Sequence, residues 1–306
     1  MKKSIIFPGQ GAQYVGMGID LYQNFQEAKE VYQEVDEALK FSLSNIIFND
    51  TEGAINHTVN TQPAIMATSV AIFRVLKNQN IINFSDFDFC AGHSLGEYTA
   101  LVCCEALSLK EAATTLKARG EFMQLAVNKG EGAMAAILGA EISEIEKIIY
   151  DGKFDTVEIS NDNCPGQVVI SGKKIEVENC SIAVKNKLRK KSILLPVSAP
   201  FHCKLMTPAA NNMRELIMNL NLKLPKISIV SNVDANQVVK VEKIKELLIE
   251  QIYKRVRWRE IMEFMLNSSV KSFVEIGPGK SLSGMLKRFK QDVIIESYND
   301  INDIKI

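Results

Sequence analysis

No stretch of the 306-residue chain approaches the roughly 18 consecutive apolar residues of a membrane-crossing helix. The segment Met1 to Gly9 holds two lysines but no apolar run of signal-peptide length. A cytoplasmic protein with no membrane partner is the expectation. An excess of either charge is also missing, because 36 Lys and Arg are matched by 36 Asp and Glu. Non-specific nucleic-acid binding needs a surplus of cations to neutralise phosphates, so nucleic acid is excluded as a partner. The basic run Lys185 to Lys191 reads as a solvated helix face. Six cysteines are present without any C-x-x-C pair or metal-ligand spacing. This argues against a metal centre and for reduced, buried thiols. Histidine is scarce too. Only His57, His93 and His202 occur, so a catalytic base can be sought by elimination.

What is present is 46% hydrophobic residues, enough for one large domain or two smaller ones with a sizeable core. Near its first third the chain carries Gly92-His93-Ser94-Leu95-Gly96, a G-x-S-x-G sequence. It is preceded by the short apolar run Phe87 to Ala91 and followed by an Ala- and Leu-rich segment to Leu107. Strand, tight turn and helix form the setting of a nucleophile elbow. The glycines allow the sharp turn, and the helix start leaves backbone N–H groups free to stabilise an oxyanion.

Ser4 to Phe7 predicts a first strand, followed by a Gly-rich loop from Pro8 to Gly18. Its spacing is neither G-x-G-x-x-G nor a P-loop, so nucleotide binding is rejected. The loop brings Gln10 to a reactive centre or is an ordinary turn. A helix is expected over Leu21 to Phe41, and another over Pro63 to Leu76 with Pro63 in its first turn. Asn49 to Gln62 reads as polar and irregular. Ser108 and Glu111 form an N-terminal cap for a helix carrying Arg119. From Ala133 to Val197 the order is strand, helix, strand, strand, helix, strand, the ferredoxin-like pattern. Asn161 to Gly166 is the expected connection between its two middle strands. The fold class expected is therefore α/β. A large α/β-hydrolase-like domain, 1–128 and 198–306, holds an inserted ferredoxin-like subdomain, 129–197.

A serine needs a base. His93 adjoins Ser94 and points elsewhere, packing or bonding under the turn. His202 follows the constrained Pro200-Phe201 pair and lies C-terminal to the serine, so it is favoured over His57. No acidic third member can be assigned. Arg119 can bind a substrate carboxylate through two parallel hydrogen bonds. On its own residues the plainer reading, a surface arginine near a helix end, prevails.

Taken together these residues resemble the malonyl-CoA:acyl-carrier-protein transacylases. The likeness runs from Ile6-Phe7-Pro8-Gly9-Gln10-Gly11 through Asn60-Thr61-Gln62-Pro63-Ala64, Gly92 to Glu97, Arg119 to Gln124, Gly132 to Ala136, Asn163 to Gly172 and Phe201-His202, to Glu275-Ile276-Gly277-Pro278-Gly279-Lys280. The resemblance implies an acyltransferase. Ser94 would be the acylated nucleophile and His202 its base. The backbone carbonyl of Gln251 would orient His202. Gln10 and the Leu95 N–H would form the oxyanion hole, and Arg119 would pair with the malonyl carboxylate. Phe201 matches the malonyl-selecting form of its motif, with His93 and Asn163 as supporting residues. The implied partners are malonyl-CoA and an acyl carrier protein. The coenzyme A thioester and phosphopantetheine would be substrates, with no bound cofactor, and the protein would be a monomer. Two departures stand out. Tyr253 to Trp258 is unusually basic, and Cys164 replaces a common serine. An acyl hydrolase that clears carrier proteins, a lipase or esterase, and a non-catalytic docking module are the competing readings. Arg119 argues against the hydrolase, the inserted unit against the lipase, and the Ser94, His202 and Arg119 set against the docking module.

Overall fold

The computed structural model describes residues 1–197 and 199–304. Ser198, expected in the turn before His202, lies outside the described residues.

Strand β1 (Lys2–Phe7) is buried from Ser4 onward. The helix expected over Leu21 to Phe41 is two helices, α1 (Ile19–Asn24) and α2 (Gln26–Leu39), parted by the extended backbone of Phe25. Lys40 adopts a left-handed conformation and ends α2 before Phe41. Helix α3 (Leu43–Asn49) is capped by the Ser42 hydroxyl, which accepts from Asn45 N–H. Helix α4 (Thr58–Asn78) starts five residues before Pro63. The backbone carbonyl of His57 accepts from the N–H groups of Asn60 and Thr61, each at 2.8 Å, and so starts the helix earlier than the proline signal predicts.

Strand β2 (Phe89–Gly92) leads through the elbow to α5 (Gly96–Cys103), and α6 (Leu109–Leu125) is capped by Ser108 as expected. A second unit follows: β3 (Gly132–Leu138), α7 (Ile142–Gly152), β4 (Glu158–Cys164), β5 (Gln167–Lys173), α8 (Lys174–Leu188) and β6 (Lys191–Leu194). Asn161 to Cys164, expected as a connection, completes β4 instead. Only Pro165 and Gly166 turn the chain, with Gly166 at φ +72°. The remaining elements are α9 (Thr207–Met218), β7 (Ser228–Val230), β8 (Gln237–Val238), α10 (Val241–Gln251), α11 (Trp258–Asn267), β9 (Val270–Ile276), α12 (Ser281–Leu286) and β10 (Ile294–Tyr298).

Two sheets result. One has the order β10-β9-β1-β2-β7-β8 and is parallel except for the β7–β8 pair. Both of its faces are covered, as a parallel sheet requires. One face belongs to a large apolar cluster that includes Ile5, Phe7, Leu101 and Leu116. The other meets a cluster of Ile6, Trp258, Ile261 and Met265. The second sheet, β4-β5-β3-β6, is antiparallel and packs with α7 and α8 around Ile137, Ile145, Ile170 and Val177.

Strand β4 ties the second sheet to the segment between α10 and α11 and to α11 itself. The Asp162 N–H donates to Val256 O at 2.9 Å, and the Val256 N–H to Ser160 O at 2.8 Å. Arg259 on α11 grips both carboxylate oxygens of Asp162, whose side chain is 1% exposed. Irregular register in β4 accompanies these outside bonds. All six cysteines are free and buried. Among the described residues no helix is long and apolar enough to cross a membrane.

Candidate active site

The site lies beyond the C-terminal ends of β1 and β2, where parallel α/β sheets place their ligands. Ser94 sits in the turn between β2 and α5 with φ +53°, a left-handed conformation rarely held without strong support. The glycines make the turn possible. A Cβ on Gly92 would fall 1.8 Å from Gly96 O, and one on Gly96 would lie 2.5 Å from Phe7 O. Asn232, just past β7, holds the turn closed. Its side-chain oxygen accepts from Ser94 N–H at 2.7 Å and its amide nitrogen donates to Gly92 O at 2.7 Å.

Ser94 Oγ is 2.8 Å from His202 Nε2, and His202 Nδ1 is 2.7 Å from the backbone oxygen of Gln251. A carbonyl only accepts, so Nδ1 carries the proton and Nε2 offers its lone pair to the serine. Burial pushes the His202 pKa down to about 3, with the Arg119 charge adding to the effect and the Gln251 bond opposing it. The resting imidazole is therefore neutral. His202 itself has φ +58°. Its placement thus rests on a second strained turn.

Arg119, on α6, is 1% exposed. One terminal nitrogen donates to Gln62 Oε1 at 2.7 Å. The other donates to Ser94 Oγ at 3.1 Å and to Gln251 Oε1 at 2.9 Å. Its Nε has no partner, and among the described residues no carboxylate forms an ion pair with it. Burial lowers its pKa, opposed by Tyr98 and Glu97. A buried guanidinium bonded only to neutral acceptors is a ready site for an anion.

The Ser94 N–H is occupied by Asn232, whereas Leu95 N–H, at the start of α5, donates to no acceptor among the described residues. Gln10 and Leu95 line the same 240 Å³ cavity as Ser94, Arg119, Phe201 and His202. The Gln10 amide reaches Thr58 Oγ1 at 3.4 Å. His93 turns away from Ser94. Its Nε2 is 2.9 Å from Asn163 Oδ1 on β4 and its ring lies 5.5 Å from that of Trp258. Burial lowers the His93 pKa, against the opposing Asn163 bond. His57 caps α4 and lines a neighbouring groove, not this cavity. Among the described residues no His, Cys, Asp and Glu cluster could hold a metal ion.

Three residues join the site that the sequence reading did not single out: Gln62, Asn232 and Glu97. Glu97 is 2% exposed. Its Oε2 accepts from Gln251 Nε2 at 2.8 Å and from Asn232 N–H at 3.1 Å. Burial raises its pKa to about 7, against those two bonds and the Arg119 charge. An acid in the first turn of an elbow helix with no other charged residue was the available signal.

These features define an acyltransferase. The family model described as acyl transferase domain matches residues 5–298. The chain is similar to the malonyl CoA-acyl carrier protein transacylase of Bacillus subtilis (strain 168), with 42% identity covering 100% of this chain and 96% of the relative. Its likeness to the protein of that name from Staphylococcus aureus (strain MRSA252) is 38%, covering 99% and 97%. Among solved structures, the acyl-carrier-protein-S-malonyltransferase from Bartonella henselae superposes with a TM-score of 0.95 at 39% identity, covering 99% and 97%. A malonyl-transacylase solved in complex with its type II PKS acyl-carrier protein superposes with a TM-score of 0.95 at 36% identity, covering 99% and 97%. The chain belongs to the malonyl CoA-acyl carrier protein transacylase family.

Proposed function

We propose that this enzyme moves a malonyl group from coenzyme A to the phosphopantetheine thiol of an acyl carrier protein through an ester on Ser94. His202 Nε2 takes the Ser94 proton as Oγ attacks the thioester carbonyl. The Leu95 N–H and Gln10 hold the resulting oxyanion. The C–S bond breaks, and His202 returns the proton to the departing sulfur. In the second half the carrier thiol gives its proton to His202 and its sulfur attacks the ester. Ser94 Oγ leaves and recovers the proton. No cofactor is required. Gln251 keeps the imidazole in the working tautomer, while His93 and Asn163 fix the elbow against β4. Phe201 narrows the cavity towards a malonyl group.

The observation that carries this reading is Arg119. A buried guanidinium 3.1 Å from the nucleophile, with no carboxylate on it among the described residues, suits a substrate that brings its own carboxylate. A groove of about 840 Å³ shares Gln10, Leu195 and Val197 with the cavity and suits the pantetheine arm common to both substrates. We further propose that 129–197 forms a ferredoxin-like subdomain inserted into an α/β-hydrolase-like domain of 1–128 and 198–306. The antiparallel order β4-β5-β3-β6 supports that division. The working form is a cytoplasmic monomer.

Intact-mass measurement tests the function. Malonyl-CoA should add one malonyl group, and Ser94→Ala should add none. Arg119→Ala should lose the preference for malonyl-CoA over acetyl-CoA while retaining some acetyl transfer. No gain from malonyl-CoA, or a gain from acetyl-CoA alone, overturns the assignment. Rapid release of free malonate without a carrier protein would instead make the enzyme a hydrolase.

A further inference from the structure

Gln251 does more in this fold than lend its backbone oxygen to His202. Its side chain lies in the middle of the site and is 0% exposed. The amide oxygen accepts from Arg119 at 2.9 Å. The amide nitrogen has three acceptors within reach: Ser94 O at 3.0 Å, Glu97 Oε2 at 2.8 Å and Asn232 Oδ1 at 3.3 Å. One residue therefore touches the base, the anion-binding arginine and the backbone of the nucleophile.

An amide can flip, and a flip here would turn its N–H₂ towards the Arg119 guanidinium. Two donors would then face each other in a buried space, with no bond to gain. The orientation that serves Arg119 must be held by acceptors on the nitrogen side. The nearest of these is Glu97 Oε2. It is the only carboxylate oxygen among the three, and at 2.8 Å it makes the shortest of these bonds. The same oxygen accepts from Asn232 N–H, and the Asn232 side chain closes the elbow on Ser94 N–H. Glu97 touches neither His202 nor Ser94 Oγ, so it acts through these neighbours. The groups with charge that face it are Arg119 and, more weakly, Asp234.

We propose that Glu97 is a positioning residue for both the base and the carboxylate site. It locks the Gln251 amide so that the Gln251 side-chain oxygen faces Arg119 while its backbone oxygen faces His202. Glu97 thereby supplies, at one remove, the acid that the Ser94–His202 pair lacks. This inference rests on the proposed malonyl transfer for its substrate but not for its geometry.

The test compares Glu97→Met, which keeps volume but offers no comparable acceptor, with Glu97→Gln, whose amide oxygen can still accept both bonds. Single-turnover ester formation is followed with malonyl-CoA and acetyl-CoA, and urea melts confirm folding. Glu97→Met should slow malonyl-ester formation at saturation about 30-fold, and acetyl-ester formation by a smaller factor, because Arg119 loses its fixed partner. Glu97→Gln should recover to within about fivefold of the parent. In a Gln251→Ala background, which retains the backbone carbonyl, adding Glu97→Met should cost less than about threefold. A full 30-fold loss in that background, or equal losses for the two acyl groups, overturns the proposal. If Glu97→Met does not fold, the Gln251→Ala and Glu97→Gln pair carries the test. Their effects must then fail to multiply, and multiplicative effects refute the link. If the parent takes only acetyl-CoA, the malonyl reading fails, while the same cycle run with acetyl-CoA still decides the role of Glu97.

Discussion

Replacing Gly120 with alanine sets two effects of opposite sign against each other at the crossing of α4 and α6. Glycine inside a helix costs roughly 1 kcal/mol relative to alanine, so propensity alone favours the variant. Space does not. The added methyl would lie 2.7 Å from Thr58 O, 2.8 Å from Val59 Cα and 2.9 Å from Thr58 C. All three are backbone atoms at the start of α4, so relief requires the two helices to part by roughly half an ångström. Overpacking of this kind costs about 1–3 kcal/mol. The steric term exceeds the propensity gain, and we expect a net loss of about 1 kcal/mol. The same shift reaches the chemistry. Arg119 precedes Gly120 on α6 and bonds Gln62 on α4 at 2.7 Å, so parting the helices pulls on that pair. A misplacement of about 1 Å can cost about 100-fold in rate, and half that displacement suggests about tenfold for malonyl transfer. Acetyl transfer, which does not need the guanidinium, should change less. Urea denaturation and ester formation with both thioesters measure the two quantities. A variant that is more stable by about 1 kcal/mol with an unchanged malonyl-to-acetyl ratio would refute the steric argument.

Glu97→Gln should also change how stability depends on pH. The Glu97 pKa is raised from 4.5 to about 7 in the fold. Its stabilising contribution is therefore complete below about 4.5 and is lost as pH rises through about 7. A neutral glutamine escapes that loss, so the variant should gain about 2–3 kcal/mol on the parent between pH 5 and pH 8. Parallel urea midpoints across that range would refute it; the depressed histidines cancel in the difference. Arg259→Met should cost about 2 kcal/mol by leaving Asp162 buried and unpaired. This is less than for a wholly buried pair because the Arg259 side chain is 26% exposed. Asp162→Asn added to Arg259→Met should recover most of the loss in the same melts, and no recovery would remove the pair from that role.

What could be read from the sequence, and what could not, divides along the distance between cause and effect. The elbow was legible because its constraints are local. Gly92 and Gly96 are needed by each other and by the adjacent β1, and Ser94 takes its left-handed turn between them. Ser108 and Glu111 were legible for the same reason, since a cap and its partner lie within one turn. The start of α4 was misplaced because Pro63 is a local signal, and the carbonyl of His57 together with packing overrode it. Asn161 to Cys164 looked like a loop by composition. It is a strand because its polar backbone finds Val256, and Asp162 finds Arg259 across 97 positions.

Glu97 is the extreme case. An acidic residue near the start of a helix ordinarily reads as solvated, since burying a carboxylate is costly without partners. Its partners, Asn232 and Gln251, lie 135 and 154 positions away, so no local pattern announces them. The position could still have been questioned from Gly96 to Cys103 alone. Tyr98, Thr99, Ala100, Leu101, Val102 and Cys103 leave no polar face for Glu97 to share. A lone carboxylate in a helix that is buried all round must be bonded or neutral, and here it is bonded on one side while burial favours its proton. The base itself takes its third bond from the Gln251 carbonyl and not from an acid. Glu97 stands three residues from Ser94 and, on the proposal above, acts through Gln251, whose carbonyl holds His202.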